Sequence, residues 1–298
     1  MKAANFAYHR PDTVAEAVQM LAEFGDDAKI LAGGQSLVPM LAMRLTYFEN
    51  LIDISRVEEL RNIERRGDEL VVAAATPHSL VGMDDEVAES VPLLTLSTPY
   101  IGHFQIRTRG TLGGAIAHAD PAAEYAAVAL ALDATIEATS VRGRRDIPAA
   151  EFFTGLWETS LAADEIVTAV RFPVWADRSG FAVEEFARRH GDFAIAGATV
   201  AVALDDDGRV ARCGIGLLGL GSTPLRGSAA ESEIVGQRAD AVTADDVGRL
   251  AIDGLSDIPA DLQGSADYRS RVGAAMVARA WAAAVRQAQM SETEAIHA

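Results

Sequence analysis

Ile30-Leu31-Ala32-Gly33-Gly34-Gln35-Ser36 runs a short apolar strand straight into two glycines and a hydroxyl. Far downstream, Arg109-Gly110-Thr111-Leu112-Gly113-Gly114-Ala115 sets out a hydroxyl and then two glycines. Adjacent glycines put no Cβ in the way and tolerate positive φ, so backbone N–H groups can converge on one anion. Neither segment contains lysine. The pair therefore reads either as a diphosphate cradle built from backbone donors or as two tight turns. No Gly-Lys-Ser/Thr closes either segment, which excludes a Walker A loop. A literal Gly-x-Gly-x-x-Gly occurs at Gly214-Ile215-Gly216-Leu217-Leu218-Gly219. It falls in the second strand of an expected hairpin and precedes Ser222-Thr223-Pro224 instead of a helix, so it is rejected as a nucleotide fingerprint.

Working outward from the first glycine pair, Thr13 and Glu16 form a capping box before Val14, Ala17, Val18, Leu21 and Phe24, and Gly25 ends that helix. Residues 51–54 and 70–74 read as strands, 76–77 as a helix start, and 92–101 as helical. Pro121 is expected to open a helix through Leu132, with strands at 134–138 and 166–172 after it. Past Pro173 two apolar runs, 194–204 and 210–218, flank Asp205-Asp206-Asp207-Gly208, a strong hairpin signal. Helices are expected near 229–235, 245–255 and 265–289. Strands followed by helices indicate a second α+β unit, and the chain is divided near residue 174.

The full sequence has 298 residues and a formal net charge of −17. Length alone suggests about two domains, at roughly 100–200 residues each. The acidic excess argues against nucleic acid or an anionic membrane surface as the main partner, since both are held by clustered Lys and Arg. No run is long and apolar enough to span a bilayer and no signal peptide is evident, so the cytoplasm is the expected compartment. Cys213 is the single cysteine. One thiol supports no disulfide framework, no thiolate zinc site and no iron–sulfur cluster held by this chain alone.

The histidines are scattered, and His118-Ala119-Asp120 sets one of them close to a carboxylate. That spacing is unlike a zinc motif, and no Gly-x-Ser-x-Gly elbow accompanies any serine. Asp120 and Glu124 stand four apart at an expected helix start. They suit hydrogen bonds from sugar hydroxyls, or equally a favourable interaction with the helix N-terminus. Spacing alone thus points to a phosphate-bearing ligand, with two plain turns as the alternative, and gives no catalytic acid, base, nucleophile or metal site.

Ala32-Gly33-Gly34-Gln35-Ser36-Leu37-Val38-Pro39-Met40, with Gly110-Thr111-Leu112-Gly113-Gly114 and His118-Ala119-Asp120-Pro121, resembles the FAD-binding medium subunit of the molybdenum hydroxylases, of the carbon monoxide dehydrogenase and xanthine dehydrogenase type. Phe186-Ala187-Arg188-Arg189-His190-Gly191-Asp192-Phe193-Ala194 and Gly221-Ser222-Thr223-Pro224-Leu225-Arg226 resemble that family's second-domain motifs, in the family's order. The resemblance implies an α+β protein. Residues 1–174 would be a two-subdomain FAD-binding fold of the vanillyl-alcohol-oxidase/PCMH type, divided at about 55. Residues 175–298 would carry a three-stranded antiparallel sheet and a helical bundle.

The resemblance also implies FAD on this chain, with 2Fe–2S clusters on a small partner subunit and the molybdenum cofactor on a large one, in a dimer of heterotrimers. Ala32, Gly33, Gly34, Gln35, Ser36 and Leu37 would hold the diphosphate, completed by Thr111, Gly113, Gly114 and Ala115. Glu124 would stand where xanthine dehydrogenases carry a shorter Asp on the ribityl chain, and Asp120 would also belong to the cofactor site. Ile166, Val167 and Phe193 would lie near the isoalloxazine, although the first two equally read as core strand residues and Phe193 also reads as core. Arg107 and Arg109 are the expected iron–sulfur subunit contact. The flavin would carry the chemistry, consistent with the missing catalytic dyad. A self-contained FAD-dependent oxidase and a non-catalytic nucleotide-binding module are the competing readings.

Overall fold

The computed structural model describes residues 2–175 and 178–297, with side-chain surroundings through Met290. Three strands open the chain: β1 (Ala7–His9), β2 (Ala28–Leu31) and β3 (Asn50–Asp53) form a parallel sheet in the order β1-β3-β2. Helix α1 (Val14–Phe24) covers it with Ala17, Val18 and Leu21. Thr13 Oγ1 accepts from the Glu16 N–H at 3.1 Å, but Glu16 reaches back to the Asp12 N–H, not to that of Thr13, so only half of the capping box forms. Gly25 ends the helix at φ 57°.

A second, antiparallel sheet follows from β4 (Ile63–Arg66), β5 (Glu69–Ala73), β6 (Thr135–Ser140), β7 (Gly143–Pro148) and β10 (Ile166–Pro173), in the order β4-β5-β10-β6-β7. A small hairpin, β8 (Phe153–Gly155) with β9 (Glu158–Thr159), precedes β10. The helices of this half are α2 (Leu37–Met43), α3 (His78–Val81), α4 (Asp85–Ser90), α5 (Pro92–Ser97), α6 (Phe104–Arg107), α7 (Leu112–His118), α8 (Glu124–Ala131) and α9 (Ala149–Phe152). Pro121 does not open α8 as the sequence suggested. Asp120 Oδ1 accepts from the Ala122 N–H at 2.9 Å and its carbonyl from the Ala123 N–H at 3.0 Å. This local turn outcompetes the helix until Glu124.

The third sheet is antiparallel and has four strands, β11 (Ser179–Phe186), β12 (Ala196–Leu204), β13 (Val210–Leu218) and β14 (Leu225–Arg226). The expected three-stranded sheet thus gains a two-residue edge strand, too short to register as a hydrophobic pattern. Helices α10 (Ser228–Ile234), α11 (Ala244–Ile252) and α12 (Ala266–His297) cover this sheet. Its other side meets α8, whose residues Tyr125 to Ala131 are all buried. A helix that is apolar all round needs cover on every side, and α8 finds it between the two larger sheets. The main core reflects this. Val183 and Ala201 of the third sheet cluster with Tyr125, Ile136, Phe152 and Phe172 of the preceding half.

Candidate cofactor site

The two glycine pairs meet. A Cβ placed on Gly33 would lie 2.1 Å from the Arg109 carbonyl oxygen and 2.6 Å from the Gly110 Cα. The turn after β2 and the turn before α7 therefore touch backbone to backbone, which only glycine permits. Gly113 is pressed as closely onto the far side, where its Cβ would fall 2.3 Å from the Ala74 Cβ. Its N–H donates to the Ala74 carbonyl at 2.9 Å. Gly34 sits at φ 71°, in the left-handed region, and lets the chain turn into α2. A Cβ on Gly114 would meet Thr111 Oγ1 at 2.8 Å and otherwise only the Ala32 Cβ at 3.6 Å. Gly33 and Gly113 are thus packing glycines, while Gly114 faces the gap between the two turns.

The donors divide in the same way. At the N-terminus of α7 the Leu112 N–H donates to the Thr76 carbonyl, and the Gly114 N–H to Thr111 Oγ1, at 3.0 and 3.1 Å. The Ala115 N–H donates to the Thr111 carbonyl at 3.0 Å. By contrast, the N–H groups of Gly33, Gly34, Gln35, Ser36 and Leu37 have no acceptor among the described residues. The first of the two turns thus supplies the free donors and the second supplies the wall. Gln35 turns its side chain onto the Gly33 carbonyl at 3.0 Å and braces the loop. Five successive unpaired N–H groups, leading into a helix and walled by glycine, fit a diphosphate without any lysine.

The wall is supported by a residue that sequence reading passed over. His78 is 4% exposed, and its N–H donates to the Gly110 carbonyl at 2.9 Å. Its ring lies edge-on to Tyr125 with centroids 5.1 Å apart, and neither ring nitrogen has a hydrogen-bond partner. Burial pushes its pKa down to about 4, so the ring is neutral at physiological pH. Tyr125 in turn shares a 2.7 Å hydrogen bond with Thr98.

From the cradle, α7 leads to His118 and then to Ala119, in the left-handed region at φ 54°. Asp120 Oδ2 accepts from Trp157 Nε1 at 3.2 Å, and the indole stacks on His118 with planes 9° apart. Trp157 occupies the tip of the β8–β9 hairpin at φ 56°. No Asn-Gly or Asp-Gly marks that turn, so it gave no signal in the sequence. Glu124 is half-buried at the first position of α8, with its carboxyl beside its own backbone N–H. Burial, reinforced by the charges of Glu185 and Asp120, pushes its carboxyl up to about 8. Glu185, on β11, is raised to about 7 by burial.

The predicted ring contacts separate. Ile166 and Val167 are 3% and 5% exposed and belong to two different hydrophobic cores, so their side chains are structural and only backbone remains for a ligand. Phe193 is 62% exposed, on the loop before β12. That loop reaches back to the preceding half, where Gly191 closes on the His103 ring. Arg107 is turned inward, donating to the Ile101 and Gly102 carbonyls at 3.1 and 2.9 Å, whereas Arg109 is exposed. A cavity of about 250 Å³ lies elsewhere, between Val14 of α1 and Glu137, Thr139 and Arg144 of the second sheet, and touches no cradle residue. Among the described residues no group of acidic, histidine or cysteine side chains could hold a metal. No helix of the described residues is long and apolar enough to cross a membrane.

Known proteins resemble this chain over nearly its whole length. The FAD binding domain in molybdopterin dehydrogenase matches residues 4–175, and the CO dehydrogenase flavoprotein C-terminal domain matches residues 181–284. The 6-hydroxypseudooxynicotine dehydrogenase complex subunit alpha of Paenarthrobacter nicotinovorans is 39% identical over 100% of both chains. The carbon monoxide dehydrogenase medium chain of Hydrogenophaga pseudoflava is 37% identical over 94% of this chain and 96% of that one. Among solved structures, a carbon monoxide dehydrogenase from the same organism superposes with a TM-score of 0.92 at 37% identity, covering 96% of this chain and 99% of that one. Quinoline 2-oxidoreductase from Pseudomonas putida 86 gives 0.90 at 35% identity, over 97% and 99%. The chain belongs to the FAD-binding medium-subunit family of the molybdenum hydroxylases.

Proposed function

We propose that this chain is the flavin-bearing subunit of an oxidoreductase complex, in which electrons from iron–sulfur clusters on a small partner subunit leave through FAD to an external acceptor. Substrate would be oxidised at a molybdenum centre on a large partner subunit. The observation that carries the reading is the meeting of Gly33 with Arg109–Gly110, which places five unpaired N–H donors against a glycine wall. Bound there, FAD supplies two-electron and one-electron chemistry that no side chain of the site supplies.

The chain's own residues bind and orient. Gly33 to Leu37 would neutralise the diphosphate through the free N–H groups and the N-terminus of α2. Thr111, Gly113 and Gly114 shape the opposite wall, with Ala115 behind them. Asp120 and Glu124 would accept from ribityl hydroxyls, and Trp157 holds Asp120 in place. Cys213 is buried, with its thiol pushed up by burial, so it offers no ligand to a cluster. Dependence on a partner for clusters follows from that count. A boundary near Pro173, a dimer of heterotrimers and a cytoplasmic setting complete the proposal.

The test is the visible spectrum and metal content of the complex from its native source. Flavin absorption with co-purifying iron and molybdenum is the expected result. A colourless chain that takes up no FAD overturns the reading, and yellow protein that turns over substrate without partners favours the self-contained oxidase instead.

A further inference from the structure

The glycines of Gly214-x-Gly216-x-x-Gly219 follow α8 from one end to the other. A Cβ on Gly214 would lie 1.8 Å from the Ala131 carbonyl oxygen, and one on Gly216 2.1 Å from that of Ala127. Those carbonyls are one helical turn apart. Gly219, at φ 69°, donates its N–H to the Pro121 carbonyl at 3.0 Å, just ahead of the helix. The spacing thus matches the last residue, the middle and the approach of α8. Both ends are then fastened by arginines. Arg226 donates to the Leu130 carbonyl at 3.0 Å and pairs with Asp133. Arg269, 4% exposed, donates to the carbonyls of Ile195 and Gly219 at 2.6 and 3.3 Å and is held by Asp261.

We propose that this glycine-lined strand is a positioning element for the flavin site, setting the height of α8 and with it the placement of Asp120 and Glu124. The inference rests on the reading of those two carboxylates as part of that site. The atoms facing Gly214 and Gly216 are backbone carbonyls of a fully packed helix, and those facing Gly219 are the carbonyls of Ala194 and Ile195 just before β12, 3.0 and 2.8 Å from a Cβ placed there. None of these can swing aside as a flexible side chain does. An added methyl on Gly214 or Gly216 must therefore lift α8, and one on Gly219, already at φ 69°, strains the turn whose N–H holds the Pro121 carbonyl. The displacement at the carboxylates depends on where along the helix each acts. Gly216 acts on the middle of the helix, about one turn after Glu124, and Gly219 acts on the Pro121 carbonyl just ahead of it. Gly214 acts on the opposite end.

The experiment compares the flavin-free full chain with its Gly214→Ala, Gly216→Ala and Gly219→Ala variants. Thermal melting reports packing, and FAD titration followed by flavin fluorescence reports the site. Gly214→Ala and Gly216→Ala are expected to lower the melting temperature by similar amounts. FAD dissociation constants should rise about tenfold or more for Gly216→Ala and Gly219→Ala but less than about threefold for Gly214→Ala. Affinity losses that track melting losses, Gly214→Ala included, overturn the inference. For any variant that does not fold, hydrogen exchange on the wild type decides. FAD-dependent protection that extends through α8 into residues 214–219 supports the coupling, and protection confined to residues 32–37 and 111–115 overturns it. A wild-type chain that binds no FAD overturns the underlying reading, and the inference with it.

Discussion

Gly114→Val is expected to leave the protein folded and colourless, whereas Gly33→Val loses flavin and fold together. The contrast comes from what each new side chain would meet. At Gly33 the obstacle is backbone on the facing turn, 2.1 Å away at the Arg109 carbonyl, and backbone cannot rotate out of the way. Overpacking of that kind costs about 3 kcal/mol, and here it also forces the two turns apart. At Gly114 the nearest atom is the Thr111 hydroxyl at 2.8 Å. Displacing it loosens the N-cap of α7, a loss of about 1 kcal/mol. The remaining volume of the valine enters the gap toward Ala32, where a phosphate oxygen would sit. Flavin absorption and urea denaturation measured on both variants separate the effects. Retention of FAD by Gly114→Val would mean that the ligand does not use this gap.

The sequence carried the meeting of the two turns only as a shared design, since nothing in Ile30–Ser36 specifies Arg109–Ala115 as its neighbour. The chemistry was legible because Gly33, Gly34, Gly113 and Gly114 are unusual at any two places in a chain. Their division of labour was not, because packing and ligand-facing glycines look alike until a Cβ is built on them. Gly34 is one case. It reads as a phosphate-facing residue, yet its Cβ would meet Val38 Cγ2 at 3.0 Å and its φ of 71° already demands glycine. His78 was invisible for a different reason, as a lone histidine after Thr76-Pro77 gives no pattern to read. Ile166 and Val167 kept both of their alternatives until burial assigned their side chains to the core. Strands β4, β7 and β11 were missed because their Arg, Glu and Asp residues break the apolar alternation.

The flavin-free chain should become less stable as pH rises from 6.5 to 8, and Glu124→Gln should remove most of that slope. In the unfolded chain both Glu124 and Glu185 titrate near 4.5 and are ionised throughout this window. In the folded chain burial raises them to about 8 and about 7, so the native state holds protons that the unfolded state has released. Stability falls with pH wherever the native state binds more protons, and the loss continues until the folded pKa is passed. His78 does not mask the trend. Its folded value of about 4 lies below its unfolded 6.5, so it weakens the fold only as pH drops from 6.5 toward 4. Both glutamates are partly solvated, which holds the combined loss across the window to about 1–2 kcal/mol. Bound FAD should flatten the slope, because ribityl hydroxyls donate to a carboxylate and favour its ionised form. Chemical denaturation at several pH values, with and without FAD, measures this directly. A slope that persists unchanged in both Glu124→Gln and Glu185→Gln would place the proton uptake elsewhere, and leave these carboxylates as ordinary solvated charges beside the site.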